Sequence, residues 1–321
     1  MVLTLPMAGL IKQHYPKCKV YFLGRSYTKD IIALSQFVDV FVNYDDLEKL
    51  PQAEQIKQIE SLKADVIVHV FPVKQIAQLA KAAGIAQRVG TTNRLYHWFS
   101  CNRLIRLSRK NSDLHESQLN MKLLSFLNID TIVTLSKMPD YYGFTKIPVL
   151  HEEYRQWIDA SKVNVILHPK SKGSAKEWGL ENFSKLIRLL PKERYKLFIS
   201  GTAQDGAQMQ EFLKQNPDAM NITGQLSLQQ FIAFISHCDA LIAASTGPLH
   251  IAAALNKKVV GLFSPRRPIH PGRWMPIGRH AHYLVADAQC EACAKKQECN
   301  CILNIEPQQV VHLLEENYEQ L

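Results

Sequence analysis

An α/β protein of two doubly wound domains is the fold class that the sequence predicts, and three observations predict it. The chain has 321 residues, enough for two domains with a sizeable core in each. Short β-branched runs alternate with segments whose apolar residues recur at helical spacing, the signature of parallel sheets wound by helices. The alternation occurs twice, on either side of a stretch at 139–163 that contains Pro148 and carries few regular signals. A linker is therefore expected near 145–160, between one domain over 1–152 and another over 153–321. Two such domains with a cleft between them bind ligands outside the carboxyl ends of their strands.

In the first half, residues 19–23, 38–42, 65–70 and 88–90 read as strands, and 74–83 as a helix preceding the last of them. In the second half, residues 163–167, 195–200, 239–243 and 258–263 read as strands, with helices at 181–190 and 227–237 between them. The run after the third of these strands, Ser245-Thr246-Gly247-Pro248-Leu249-His250, is the most informative in the chain. It leads from a buried strand into an alanine-rich helix. Pro248 suits the first helical turn, where a missing N–H costs nothing. Gly247 lets a ligand approach the backbone closely. The unpaired N–H groups and the positive end of the helix dipole there favour phosphate. Taken alone, the run reads equally as a tightly packed turn.

Composition narrows the partners. Hydrophobic residues make up 46% and charged residues 21%, as in an ordinary soluble globular protein. No apolar run is long enough to span a bilayer, and Met1-Val2-Leu3-Thr4-Leu5-Pro6 has no basic leader, so a cytoplasmic location is expected. The net charge of +9 favours anionic partners. Arg103, Arg106, Arg109 and Lys110 form one basic stretch and Arg266, Arg267, Arg273 and Arg279 another, with a solvated basic face as the plain alternative. Neither stretch carries a nucleic-acid signature, so phosphorylated or carboxylated small ligands are expected rather than nucleic acid. Of the seven cysteines, Cys290, Cys293, Cys299 and Cys301 cluster. Their spacing is not that of a common structural zinc site, so they read as free thiols in a loop, with zinc as the alternative.

Two further segments follow strands of the second half. One is His168-Pro169-Lys170-Ser171-Lys172-Gly173-Ser174-Ala175-Lys176-Glu177-Trp178, whose lysines and hydroxyls suit a polyphosphate. The other is the small-residue turn Ser200-Gly201-Thr202-Ala203. With the Ser-Thr-Gly-Pro turn, they describe a nucleotide-diphosphate site. No Asp-x-Asp pair is present to hold a divalent ion against it. Lysine and a helix N-terminus would neutralise the leaving group instead.

This combination resembles glycosyltransferase family 9, the ADP-heptose:lipopolysaccharide heptosyltransferases, over essentially the whole chain. Residues 115–124, with His115, Glu116, Asn120, Leu123 and Leu124, are similar to the family's His-Glu-x-x-x-Asn-x-x-Leu-Leu segment. Ala175-Lys176-Glu177-Trp178 is similar to its Ala-Lys-x-Trp motif, and residues 246–255 match its most diagnostic motif. The cysteine-rich loop before the last helix also occurs widely in the family. The resemblance implies the GT-B fold, two Rossmann-like domains facing a central cleft, with the acceptor on the first and the nucleotide-sugar on the second. The last helix is expected to pack back on the first domain. It further implies metal-independent, inverting transfer of heptose from ADP-heptose to a lipopolysaccharide inner-core acceptor of the lipid A-Kdo type, with no cofactor.

Residue by residue, the resemblance assigns Lys176 to the donor diphosphate. Thr246 and Gly247 contact the same phosphates, and His250 lines the donor pocket or packs beneath the turn. Ser171, Ser245 and Pro248 complete the donor set, and Arg103, Arg106 and Lys110 are candidates for the acceptor, at the cytoplasmic face of the inner membrane. Ser245 stands where the family usually has Asp, which opens the alternative of another nucleotide-sugar. Met1–Pro6 resembles the family's opening Gly-Asp-x-x-x-x-x-Pro segment with Gly-Asp missing. That places the family's catalytic Asp and first strand immediately before Met1, and makes Met1 an internal methionine. A domain lacking that strand exposes two unpaired strand edges. With Met1 as the true start, a non-catalytic nucleotide-sugar-binding protein becomes the alternative.

Overall fold

The apolar runs of the second half become one six-stranded sheet in the computed structural model, which describes residues 1–109 and 112–316. The chain divides between Thr145 and Lys146, at the start of the expected linker stretch, into two units. The first unit contributes β1 (Tyr21–Gly24), β2 (Val40–Asn43), β3 (Val66–Val68), β4 (Gln87–Thr91) and β5 (Arg103–Ile105). The second contributes β6 (Val163–His168), β7 (Tyr195–Ile199), β8 (Ala219–Asn221), β9 (Ala240–Ala244), β10 (Lys258–Leu262) and β11 (Ala281–Leu284).

In the second unit the strand order is β11-β10-β9-β6-β7-β8, and every pairing is parallel. This is the doubly wound order, in which the chain first extends on one side of β6 and then returns to its other side. Every residue of β9 and β10 is buried, as expected for parallel strands covered on both faces. The helix Leu180–Leu189 turns Phe183, Leu186 and Ile187 into the core, where they meet Val165, Leu167 and Trp178. The helix Leu228–His237 begins at Ser227, whose hydroxyl accepts from the Gln230 N–H at 3.2 Å. The last helix, Pro307–Glu315, packs on Leu180–Leu189 and on β10 of its own unit, with Val310 and Leu314 in that core. Lys258, buried at the start of β10, donates from Nζ to the carbonyls of Leu314 (3.0 Å) and Glu316 (2.6 Å). A cation on the last carbonyls suits the negative end of a helix.

In the first unit the described strands form two separate parallel sheets, β1-β2 and β3-β4-β5. Strands β1 and β3 are only half-buried along their length. The opening residues fold as a 3-10 turn, Val2–Thr4, followed by the helix Pro6–His14. Val2, Leu3 and Leu5 are buried, and the Leu3 carbonyl accepts from Ser117 Oγ (3.0 Å) and Asn120 Nδ2 (3.1 Å). The His-Glu-x-x-x-Asn segment thus forms the helix Glu116–Met121 that seats the start of the chain. Arg103, the first residue of the basic stretch, begins the strand β5.

Candidate functional site

The switch point of the second sheet lies between β6 and β9, which are hydrogen-bonded neighbours with His168 opposite Ala243. From β6 the chain leaves toward β7, and from β9 toward β10 on the other side, so the two following loops diverge and open a crevice. Two of the three expected segments, the Lys176 loop and the Ser-Thr-Gly-Pro turn, are these two loops.

The turn after β9 is built to leave its polar groups unspent. Thr246 is extended (φ −127°, ψ 166°) and caps the helix Gly247–Ala254, with Pro248 in the first turn. An N-cap threonine ordinarily accepts from an N–H of that turn, but Thr246 does not. Its Oγ1 is buried without a hydrogen-bond partner, and the residue is only 6% exposed. A buried hydroxyl left so costs on the order of 1–3 kcal/mol. A Cβ placed on Gly247 meets nothing within 4 Å, so open space lies before the helix start. Hydroxyl, first-turn N–H groups and dipole converge on a place that an anion would fill. Ser245 and Pro248 are half-buried beside it, while His250 is 8% exposed within the helix.

The loop after β6 is held on both sides of Lys176. Lys170 Nζ pairs with Glu177 Oε2 at 2.8 Å, and the Ser171 N–H donates to Glu177 Oε1 at 2.9 Å. Ser171 Oγ donates to the Ala175 carbonyl (2.8 Å) and to Glu177 Oε1 (3.2 Å), so this hydroxyl shapes the loop. Trp178 is fully buried and donates from Nε1 to the Ile305 carbonyl at 2.9 Å. Asn182 Nδ2 bridges the carbonyls of Trp178 (3.0 Å) and Leu303 (2.8 Å). Lys176, half-buried between these anchors, has no ion pair with any described residue. His168 Nδ1 lies 2.9 Å from Ser200 Oγ, and burial pushes its pKa down to about 4, so it is neutral at pH 7.

The third segment differs from expectation. Thr202 N and Oγ1 both donate to Asp205 Oδ2 at 2.7 Å, and the Asp205 N–H donates back to Thr202 Oγ1 at 3.3 Å. This capping box spends the polar groups of the helix start at Ala203 on itself.

In the first unit, Arg106 is exposed just beyond the carboxyl end of β5, while Arg103 sits at the amino end. Lys110 lies outside the described residues. The best-anchored guanidinium in this stretch is that of Arg109, which the basic run contained but did not single out. Its Nε pairs with Glu116 Oε1 at 2.7 Å, and its Nη2 reaches Asn120 Oδ1 (3.0 Å) and the Val70 carbonyl beyond β3 (3.3 Å). The signal for it was its proximity to the His-Glu-x-x-x-Asn segment, whose Glu and Asn it joins. Phe71 and Leu95, beyond the carboxyl ends of β3 and β4, are exposed, as are Trp98 and Phe99 in the short helix His97–Ser100 that follows.

Comparison with known proteins accords with this geometry. Residues 56–302 match the model of glycosyltransferase family 9 (heptosyltransferase). Lipopolysaccharide heptosyltransferase 3 of Escherichia coli is 26% identical over 284 residues, covering 82% of this chain and 79% of its own. Among solved structures, a family 9 glycosyl transferase from Veillonella parvula superposes with a TM-score of 0.78 at 17% identity, covering 98% of this chain and 94% of its own. The E. coli ADP-heptose lipopolysaccharide heptosyltransferase II superposes with a TM-score of 0.71 at 18% identity, covering 98% and 93%. The fold is thus that of the GT-B heptosyltransferases.

Proposed function

The chain belongs to glycosyltransferase family 9 (heptosyltransferase), and from that premise we propose that it moves heptose from ADP-heptose to a lipopolysaccharide inner-core acceptor. The observation that carries the donor assignment is the buried, unpartnered Thr246 hydroxyl at the head of a helix, at the switch point shared with the Lys176 loop. A nucleotide diphosphate supplies the acceptor oxygens that this hydroxyl, the helix start and the Lys176 ammonium lack. The name of the E. coli relative includes ADP-heptose, and the same donor is proposed here.

In the proposed transfer an acceptor hydroxyl oxygen attacks the anomeric carbon from the face opposite the diphosphate. The bond from that carbon to the β-phosphate oxygen breaks, the acceptor hydroxyl gives its proton to solvent, and ADP leaves with inverted configuration at the sugar. Negative charge grows on the leaving phosphate, where Lys176 and the helix dipole stabilise it. The transfer is proposed to proceed without a divalent ion at the phosphates. The carboxylates of the β6 and β7 loops, Glu177 and Asp205, are both committed to neighbouring side chains rather than paired with each other.

The acceptor is assigned to the first unit, with Arg106, just beyond the carboxyl end of β5, and Arg109 as candidate cations. Among the described residues no helix is long and apolar enough to cross a membrane. Exposed Phe71, Leu95, Trp98 and Phe99 are proposed to rest on an anionic lipid surface that presents the acceptor. The uncharged Ser245 beside the phosphate position supports a second reading, a family member using a different nucleotide-sugar.

The test is incubation with ADP-heptose and a heptose-deficient lipopolysaccharide, reading ADP release and acceptor mass. Acceptor-dependent ADP release with a gain of one heptose is expected. Faster turnover of another nucleotide-sugar selects the second reading. ADP-heptose bound without any release contradicts transfer.

A further inference from the structure

Apart from the donor loops, one cluster of side chains has chemistry that sugar transfer does not use. Cys290, Cys293, Cys299 and Cys301 lie between β11 and the last helix, and their four Sγ atoms all fall within 4.8 Å of one another. The closest pairs are Cys290–Cys299 at 3.3 Å and Cys293–Cys301 at 3.5 Å, and all four thiols are free. Four sulfurs bound tetrahedrally at about 2.3 Å from an ion stand about 3.8 Å apart, within this range. Cys293 and Cys301 are buried and the other two half-buried, so the cluster faces inward.

The local fold arranges this convergence. The single turn Glu291–Ala294 begins at Cys290 and carries Cys293, three positions on. Lys296, in the left-handed region (φ 58°), then reverses the chain. The 3-10 turn Cys301–Asn304 brings the second pair back. Donors also point at the sulfurs: the Cys301 N–H donates to Cys299 Sγ at 3.2 Å. Ser264 Oγ, just past β10, lies 3.4 Å from Cys293 Sγ and 3.9 Å from Cys301 Sγ. Such outer partners stabilise and orient thiolate ligands.

We propose that these four cysteines bind one thiophilic divalent cation, for which zinc is the best fit, as a structural site closed to further ligands. Binding releases the four thiol protons and leaves a centre of roughly −2 charge. Lys295 and Lys296 lie in the loop between the ligands, and Arg266 Nη2 donates to the Lys296 carbonyl at 3.1 Å. The proposal takes up the zinc alternative to free thiols. The spacing Cys-x2-Cys-x5-Cys-x-Cys obscured the site because only the backbone reversal at Lys296 brings the two pairs together. The ion would also brace the donor loop. The carbonyls of Leu303 and Ile305, within and just after the turn that starts at Cys301, accept from Asn182 and Trp178.

The test is titration of the reduced, chelator-stripped full chain with Zn2+ and, in parallel, with Co2+, alongside elemental analysis of the protein as isolated. One equivalent of saturable uptake is expected, with cobalt giving the thiolate charge-transfer and visible bands of a tetrahedral site. Elemental analysis then distinguishes zinc from iron as the native ion. Cys293→Ser abolishes the bands, whereas Cys18→Ser leaves them unchanged. The wild-type cobalt spectrum stands even where a variant does not fold. No saturable uptake by the reduced wild-type chain overturns the proposal, as does uptake that survives Cys293→Ser. Neither result bears on the donor site, which the ADP-heptose experiment tests separately.

Discussion

At the scale of the residue, the proposed donor site rests on Thr246. The hydroxyl lies at an N-cap, where threonine ordinarily satisfies the backbone, yet it is buried and unsatisfied. Replacing it by the isosteric Val removes no hydrogen bond within the protein. Thr246→Val is therefore expected to leave thermal stability equal or higher, while ADP affinity falls about tenfold, or ~1.4 kcal/mol. Calorimetric titration beside a melting curve checks both, and unchanged affinity would remove Thr246 from the phosphate site. Sequence motifs located this residue and Lys176, because their positions follow from strand ends and a helix start. They ranked Ser171 below Lys176, but spacing alone does not encode that Glu177 folds back onto Ser171.

At the scale of the element, strands that lie in apolar, β-branched runs were legible, and three short edge strands without such runs were not. The eight anticipated strand positions all carry strands, and β7, β9 and β10 are the most buried of them. The strands missed are β5, β8 and β11, of three, three and four residues, each at the margin of its sheet. Alternation over so few residues is too weak a signal, and the Arg at the head of β5 masked it further. The short helix His97–Ser100 was also unforeseen, and it bears on acceptor delivery. Leu95 and Phe99 are 77% and 73% exposed beside it. If they rest on lipid, replacing both by Ser should lower sedimentation with anionic vesicles by about tenfold or more, since each loses ~1.5–3 kcal/mol of burial. Folding should be unaffected because neither side chain is in the core. Equal sedimentation would dismiss this face as the membrane contact.

At the scale of the whole molecule, the doubling of the α/β pattern and the doubly wound order of the second sheet follow from alternation and from the rule that parallel crossovers are right-handed. The clamping of Trp178 by the segment before the last helix is a long-range fact, absent from any local pattern. The net charge of +9 draws anions toward the chain generally, whereas the proposed donor site needs a cation held at one place beside the phosphates. The central claim is that Lys176 is that cation. Titrating ADP into the wild-type chain and into Lys176→Ala tests it most directly. A one-to-one site weakened about 10- to 100-fold by the substitution, the loss of a charge-assisted hydrogen bond, is the predicted result. Equal affinity in the two proteins would contradict the account.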